Sequence, residues 1–244
     1  MSAPSADVLR WGRERARTGR WRGETDVAYL TPLPTAPLPS PEFLRRCLDT
    51  LAARGFARVV TGALSPAEQA GFLAVGFDVA ERLHLLGIDL TDVPPEIPDG
   101  LPLARGRRAD RARVLAVDRA AFSPFWRFDE TGLDDALDAT PSTRWRVAVD
   151  GSTLPLSRDV VGYIICGRAG SRGFVQRLAV DPYGQRRGTG RRLLLDGLAW
   201  MSRKGVRRAV VNTQVGNEPA LALYLAVGFT QQPAGLSVLA TGLK

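Results

Sequence analysis

One stretch constrains this chain more than any other: Val180-Asp181-Pro182-Tyr183-Gly184-Gln185-Arg186-Arg187-Gly188-Thr189-Gly190-Arg191-Arg192. The apolar run Phe174 to Val180 precedes it and reads as a strand. The run over 187–204 follows it and reads as a helix, with Leu194, Leu198 and Met201 at core-facing spacing. A strand that turns directly into a helix leaves the first helical N–H groups unpaired, with the positive end of the helix dipole behind them. Gly188 and Gly190 remove the side chains that would keep a phosphate off that backbone, and the flanking arginines add cationic donors. The local prediction is a pyrophosphate site. The loop lacks the Gly-Lys-Ser/Thr ending of a Walker loop and the third glycine of a dinucleotide fingerprint, so neither of those sites is indicated.

A second segment lies downstream, beyond a strand-like run from Arg208 to Asn212. It reads Asn217-Glu218-Pro219-Ala220-Leu221-Ala222-Leu223-Tyr224-Leu225-Ala226-Val227-Gly228-Phe229. Gln185 to Gly190 resembles the Gln/Arg-x-x-Gly-x-Gly/Ala loop of the GNAT N-acetyltransferase superfamily. The Asn217 segment resembles that family's Asn-x-x-Ala-x-x-Leu-Tyr-x-x-x-Gly-Phe pattern. The resemblance implies an α/β fold with a mixed central sheet flanked by helices. It also implies acetyl-CoA as the acyl donor and no metal. The implied reaction moves an acetyl group to a primary amine by direct attack in a ternary complex, in a monomer or homodimer.

The resemblance also implies roles for particular residues. The backbone of Leu178, Ala179 and Val180 would pair with the pantetheine arm, one of these amides serving as oxyanion donor. Gln185, Arg186, Arg187, Gly188, Thr189, Gly190 and Arg191 would hold the pyrophosphate, with Asn217 near the pantetheine. Tyr224 takes the family's general-acid position, and a phenol with pKa near 10 can protonate a departing thiolate. Each role has a plainer counterpart: Tyr224 as a packing aromatic, Asn217 as a helix cap.

On the acceptor side, Phe122, Phe125, Trp126 and Phe128 precede Asp129, Glu130, Asp134, Asp135 and Asp138. Phe125, Trp126, Asp129 and Glu130 are the candidate contacts to a cationic amine, against the alternative of a helix pair with solvated acids. A general base is not evident. The fourth strand of the resembling domain reads Phe174-Val175-Gln176-Arg177, and neither Gln176 nor Arg177 takes a proton at neutral pH. His84, the sole histidine, reads as a surface or packing residue.

An internal repeat organises the rest. Leu73-Ala74-Val75-Gly76-Phe77 recurs unchanged as Leu225-Ala226-Val227-Gly228-Phe229, and Gly55 and Gly205 close a helix upstream of each copy. Phe72 stands where the second copy has Tyr224, Ser65 where it has Asn217, and the proline-rich run 32–41 where it has the glycine loop. Proline has no N–H to offer a phosphate, so the first copy should bind none. The expected organisation is an arginine-rich arm (1–25), a degenerate GNAT-like half (26–90), a proline-rich linker (91–100) and a complete domain (101–244). That last domain should end in a hairpin of 229–231 with 236–240 around Pro233-Ala234-Gly235.

Composition narrows the alternatives. The net charge is +8, and arginine supplies all but Lys204 and Lys244 of the 33 basic residues. No basic stripe interleaved with aromatics and no zinc pattern appears, so nucleic-acid binding is disfavoured. No apolar run reaches membrane-spanning length, the N-terminus lacks the apolar core of a secretory signal, and Cys47 and Cys166 read as separate reduced thiols. A cytoplasmic protein is expected. The rival to an enzyme is a non-catalytic acyl-CoA-binding or regulatory module, since an intact loop secures binding more than turnover.

Overall fold

The computed structural model describes residues 7–90, 97–150 and 159–243. The chain divides into two compact units. The first runs to Leu85 and includes Asn212–Asn217 and Gln232–Lys244; the second is Leu86–Val211 with Glu218–Gln231. No helix among the described residues is long and apolar enough to cross a membrane.

The first part of the chain carries β1 (Asp7–Trp11), β2 (Glu14–Arg20), β3 (Val27–Pro32), α1 (Pro41–Ala53), β4 (Arg58–Thr61), α2 (Pro66–Leu73) and β5 (Asp78–Asp89). β1, β2 and β3 pair antiparallel in sequence, and β3 pairs parallel with β4 across the α1 crossover. Ala16, Ala28, Leu30 and Val59 face Phe43, Leu44, Cys47 and Leu51 of α1, with Phe72 in the same cluster.

The arm expected at 1–25 is therefore corrected: its described part is a β-hairpin. Small inward residues hid it. Ala16 and Thr18 are buried while the intervening Arg17 is exposed, a period of two whose inward members are too small to register as an apolar face. β5 was also missed, because Asp78, Glu81 and Arg82 break its apolar pattern. Of the linker expected at 91–100, residues 91–96 lie outside the described residues.

The second part carries β6 (Leu103–Arg105), α3 (Arg111–Ala121), α4 (Glu130–Asp138), β7 (Ser142–Asp150), β8 (Asp159–Ala169), β9 (Arg172–Val180), α5 (Thr189–Arg203), β10 (Arg208–Gln214), α6 (Glu218–Val227) and β11 (Thr230–Gln231); β12 is Leu236–Gly242. β6 to β9 pair antiparallel in order, and β9 pairs parallel with β10 across α5. In this unit the sheet is covered on both faces. Ile164, Cys166 and Val175 pack with Leu194, Leu198 and Met201 of α5 and with Tyr224 of α6. Tyr163, Ile165 and Ala179 pack with Val114 and Val117 of α3 and Leu133 of α4.

The expected closing hairpin is also corrected. β11 pairs with Leu86–Gly87 at the end of β5, and β12 pairs with Asp78–Leu83 of β5 and with β4. The segment around Pro233 does not fold β12 back on β11, because the unforeseen strand β5 supplies the partner for both.

The two parts repeat each other in order: antiparallel pair, strand, helix crossover, parallel strand, helix, strand. The repeat is exact enough to share hydrogen bonds. Phe77 N–H donates to the Phe72 carbonyl at 3.2 Å and Phe229 N–H to the Tyr224 carbonyl at 3.0 Å. Gly76 and Gly228 both close their helices at positive φ, +90° and +104°, a backbone that disfavours any side chain. The repeat thus begins within the former arm: β1–β2 correspond to β7–β8.

Candidate active site

β9 enters the second unit's sheet regularly and then loses register. Cys166 lies opposite Val175 and Ile165 opposite Arg177, so Gln176 is an extra residue, a β-bulge. The bulge sends Arg177 and Ala179 to the α3 face and leaves Leu178 and Val180 packed on the α5 side. On the opposite edge, β9 pairs with β10 only over Arg172–Phe174. Residues 175–180 thus continue as strand with no ladder on that side, which offers backbone donors and acceptors to an extended ligand.

The chain then turns through Asp181, whose Oδ1 accepts from Tyr183 N–H at 2.9 Å. Gln185 Nε2 donates to the Val180 carbonyl at 3.1 Å and ties the loop to the strand end. Arg186 and Gly188 both have positive φ, +62° and +79°, and Gly188 caps α5. A left-handed turn at these two points directs successive N–H groups to one side. No acceptor among the described residues takes the N–H groups of 186–191; the first bond of the helix is Arg192 N–H to the Gly188 carbonyl. Nothing lies within 4 Å of a Cβ added at Gly188, whereas at Gly190 one would touch Leu223 and Val180 at 3.4 and 3.6 Å. Gly188 is required by its backbone conformation, whereas a Cβ at Gly190 would meet only ordinary van der Waals contacts. Arg186, Arg187 and Arg191 are exposed around this loop.

Tyr224, on α6, is 5% exposed and packs edge-on against Phe229 with centroids 5.6 Å apart. Its hydroxyl has no hydrogen-bond partner among the described residues. Burial raises its pKa, with the neighbouring Cys166 adding to the rise, so the phenol stays protonated at physiological pH. Asn217 lies in the turn directly before α6.

The acceptor-side residues are arranged differently from a cation pocket. Phe125 and Trp126 stack edge to face at 5.1 Å in a short 3-10 turn. Asp129 caps α4, its Oδ1 accepting from Gly132 N–H at 2.7 Å. Glu130 and Asp134 both pair with Arg111, at 2.7 and 2.8 Å. Asp129 and Glu130 are thus engaged within the fold rather than lining a pocket for a cation.

Sequence reading missed the most ordered cluster of this face. Arg177 makes two bonds to Asp118 of α3, Nε to Oδ2 at 2.7 Å and a terminal NH2 to Oδ1 at 2.9 Å. Tyr163 Oη donates to Asp118 Oδ2 at 2.5 Å and Phe128 N–H to Oδ1 at 2.7 Å. With both oxygens doubly bonded, Asp118 has no lone pair aimed at a substrate. Burial holds the Tyr163 phenol well above its usual range. The one signal was an arginine inside an apolar strand, a charge that is buried only with a partner.

Residues 114–229 match the model of the Acetyltransferase (GNAT) family. The chain is 31% identical to a mycothiol acetyltransferase of Salinispora tropica over 80% of this chain and 68% of that protein. It is also 31% identical to one of Amycolatopsis mediterranei over 77% of this chain and 66% of that protein. The chain spans about two thirds of the length of the curated relatives it matches. Among solved structures, a tandem GNAT protein from the clavulanic acid biosynthesis pathway aligns over 100% of this chain and 85% of its own, with TM-score 0.73 at 15% identity. That likeness concerns the fold: a GNAT fold in the C-terminal part and a GNAT-like repeat in the N-terminal part.

Proposed function

This chain belongs to the GNAT acetyltransferase family, and from that premise we propose that it moves an acetyl group from acetyl-CoA to a primary amine by direct attack in a ternary complex. The observation that carries the reading is the conjunction on β9. Its ladder to β10 stops at Phe174, and the same strand leads into the N–H groups of 186–191, which no acceptor among the described residues takes. An extended arm ending in a pyrophosphate fits that pair of features: backbone pairing along Leu178 to Val180, then anion capture by the loop between Gln185 and Arg191.

In this reading the acetyl carbonyl lies against a β9 amide, which stabilises the oxyanion as a neutral amine adds to the carbonyl carbon. Collapse of the tetrahedral intermediate breaks the C–S bond, and Tyr224 gives its proton to the departing thiolate. The amine's surplus proton leaves to solvent, since Gln176 and Arg177 take none and Asp118 is fully bonded, and the Tyr224 phenolate regains a proton from solvent. Asn217 is assigned to the pantetheine side. Phe125 and Trp126 are assigned to the acceptor side, with Asp129 and Glu130 holding that segment's shape. The relatives' name makes a mycothiol-type amine the first acceptor to test.

A second reading, an acyl-CoA-binding module without turnover, is favoured by one observation. Phe72 and Phe77 of the first copy stack edge-on at 5.1 Å, as Tyr224 and Phe229 do, so packing alone accounts for an aromatic at 224. Thiol release from acetyl-CoA in the presence of an amine panel separates the two. Amine-dependent release supports the enzyme, and binding without release to any amine supports the module.

A further inference from the structure

We propose that Arg177 is a positioning residue that holds the acceptor side of the site in register with the acyl-donor strand. The proposal rests on the acetyl-transfer reading above. Arg177 follows the bulge on β9 and directly precedes Leu178, Ala179 and Val180, the residues assigned to the pantetheine. The bulge turns its side chain onto the α3 face, where it reaches several parts of residues 118–128 at once. It bonds both oxygens of Asp118 and donates to the Trp126 carbonyl at 2.6 Å. Its guanidinium carbon also lies 3.5 Å from the Phe122 ring centroid and 4.0 Å from that of Phe128.

Each of these contacts needs the planar fork. A lysine at 177 would keep the charge but could neither bond Asp118 side-on while reaching Trp126 nor lie flat against two rings. A buried, fully bonded ion pair contributes little net stability over a well-packed apolar pair, but the two parallel bonds from Arg177 to Asp118 form only in one relative placement of the two side chains. Sliding residues 118–128 along β9 would break the paired bonds and uncover the guanidinium. The strand that aligns the thioester therefore also aligns the segment carrying Phe125 and Trp126. Misplacing reactants by about 1 Å is enough to cost on the order of a hundredfold in rate.

The test uses the full chain and the Arg177→Lys variant. It compares acetyl-CoA affinity by calorimetry, kcat and KM for an amine the wild type accepts, and amide hydrogen exchange along the chain. We expect acetyl-CoA affinity within about twofold of wild type, kcat/KM for the amine lower by about ten- to a hundredfold, and faster exchange confined to 118–130 with 178–190 unchanged. Unchanged kcat/KM together with unchanged exchange at 118–130 would overturn the proposal. So would a parallel fall of thermal stability, acetyl-CoA affinity and activity, which would mark Arg177 as structural only. Should the lysine variant not fold, Phe122→Leu removes one face of the stack and is expected to give the same split at smaller size. A wild type that turns over no amine removes the acetyl-transfer reading itself. A wild type that turns over while the variants match it removes only the role of Arg177.

Discussion

Glu14 on β2 fills the N-terminus of α1: Ser40 N–H donates to its Oε1 at 2.5 Å and Ser40 Oγ to its Oε2 at 3.0 Å. By the repeat, α1 corresponds to α5, whose own N-terminus meets no acid among the described residues. The first copy thus brings an internal carboxylate to the helix end where the second leaves N–H groups for a ligand, and Pro41 removes one donor more. Its strands also lack the opening. β2 and β3 pair without a register shift, and β3 stays paired with β4 from Val27 to Leu30. Glu14→Ala should destabilise the protein by about 1–3 kcal/mol in urea unfolding, the cost of removing a charged acceptor from a partly buried helix end. Acetyl-CoA stoichiometry by calorimetry should remain one per chain in wild type and variant; two comparable sites would mean the first copy retains a cofactor site.

The two loop glycines should fail for different reasons. Gly188→Val places a branched side chain at φ +79° and costs about 1–2 kcal/mol of backbone strain, besides obstructing the N–H groups. Gly190→Ala meets only ordinary contacts with Leu223 and Val180, so its acetyl-CoA affinity should stay near wild type, whereas Gly190→Leu should abolish binding. Calorimetry on the three folded variants decides this. Full affinity in Gly188→Val would remove the pyrophosphate assignment.

Tyr224→Phe keeps the ring against Phe229 and deletes only the proton. Stability and acetyl-CoA affinity should barely change, while kcat falls by about 10²–10⁴-fold if Tyr224 protonates the thiolate. Normal turnover in the variant would reduce Tyr224 to the packing role of Phe72.

The reaction's pH dependence should follow the acceptor rather than the enzyme. With no proton acceptor on β9, the rate is expected to rise with pH until the amine is neutral, near pH 8 for an α-amine and above pH 10 for a lysine side chain, by their ordinary pKa values of about 7.7–8.0 and 10.4. Two amines differing in pKa should therefore give displaced profiles. A shared midpoint near pH 6–7 with both would instead point to a base on the protein.

Alkaline stability should be limited by buried acids that fold in their neutral form. Burial, with the nearby Glu14 carboxylate adding to it, pushes the Cys47 thiol from 9.0 up to about 12. The unfolded chain therefore loses this proton first. The contribution of Cys47 is complete below pH 9 and is lost as pH rises toward 12, at up to about 1.4 kcal/mol per pH unit. Cys47→Ala should flatten the fall in unfolding free energy over that window. An unchanged slope would mean that this thiol does not sense its burial.

The cofactor loop was legible because its signals are local. Gly188 and Gly190 between an apolar strand and an amphipathic helix imply free N–H groups whatever surrounds them, and the helix boundaries around α1, α5 and α6 followed from proline, glycine and the capping Asn217. The repeat was legible at Leu73–Phe77, where identical residues meet identical backbone demands. Its true start was not. Ala16 and Thr18 are inward residues only because α1 lies over them, and an alternation of arginine with small residues carries no such information by itself.

The sequence alone thus determined the local parts of this protein: which segment presents unpaired N–H groups, and which copy has prolines in that place. Tertiary structure decided what each side chain faces. One extra residue at Gln176 changes the face to which Arg177 points, and that step sets whether the arginine meets solvent, a ligand or Asp118, 59 residues away along the chain. A bulge depends on the pairing of two strands, and the partners of a buried charge depend on elements far apart in sequence, so neither is encoded in any single segment.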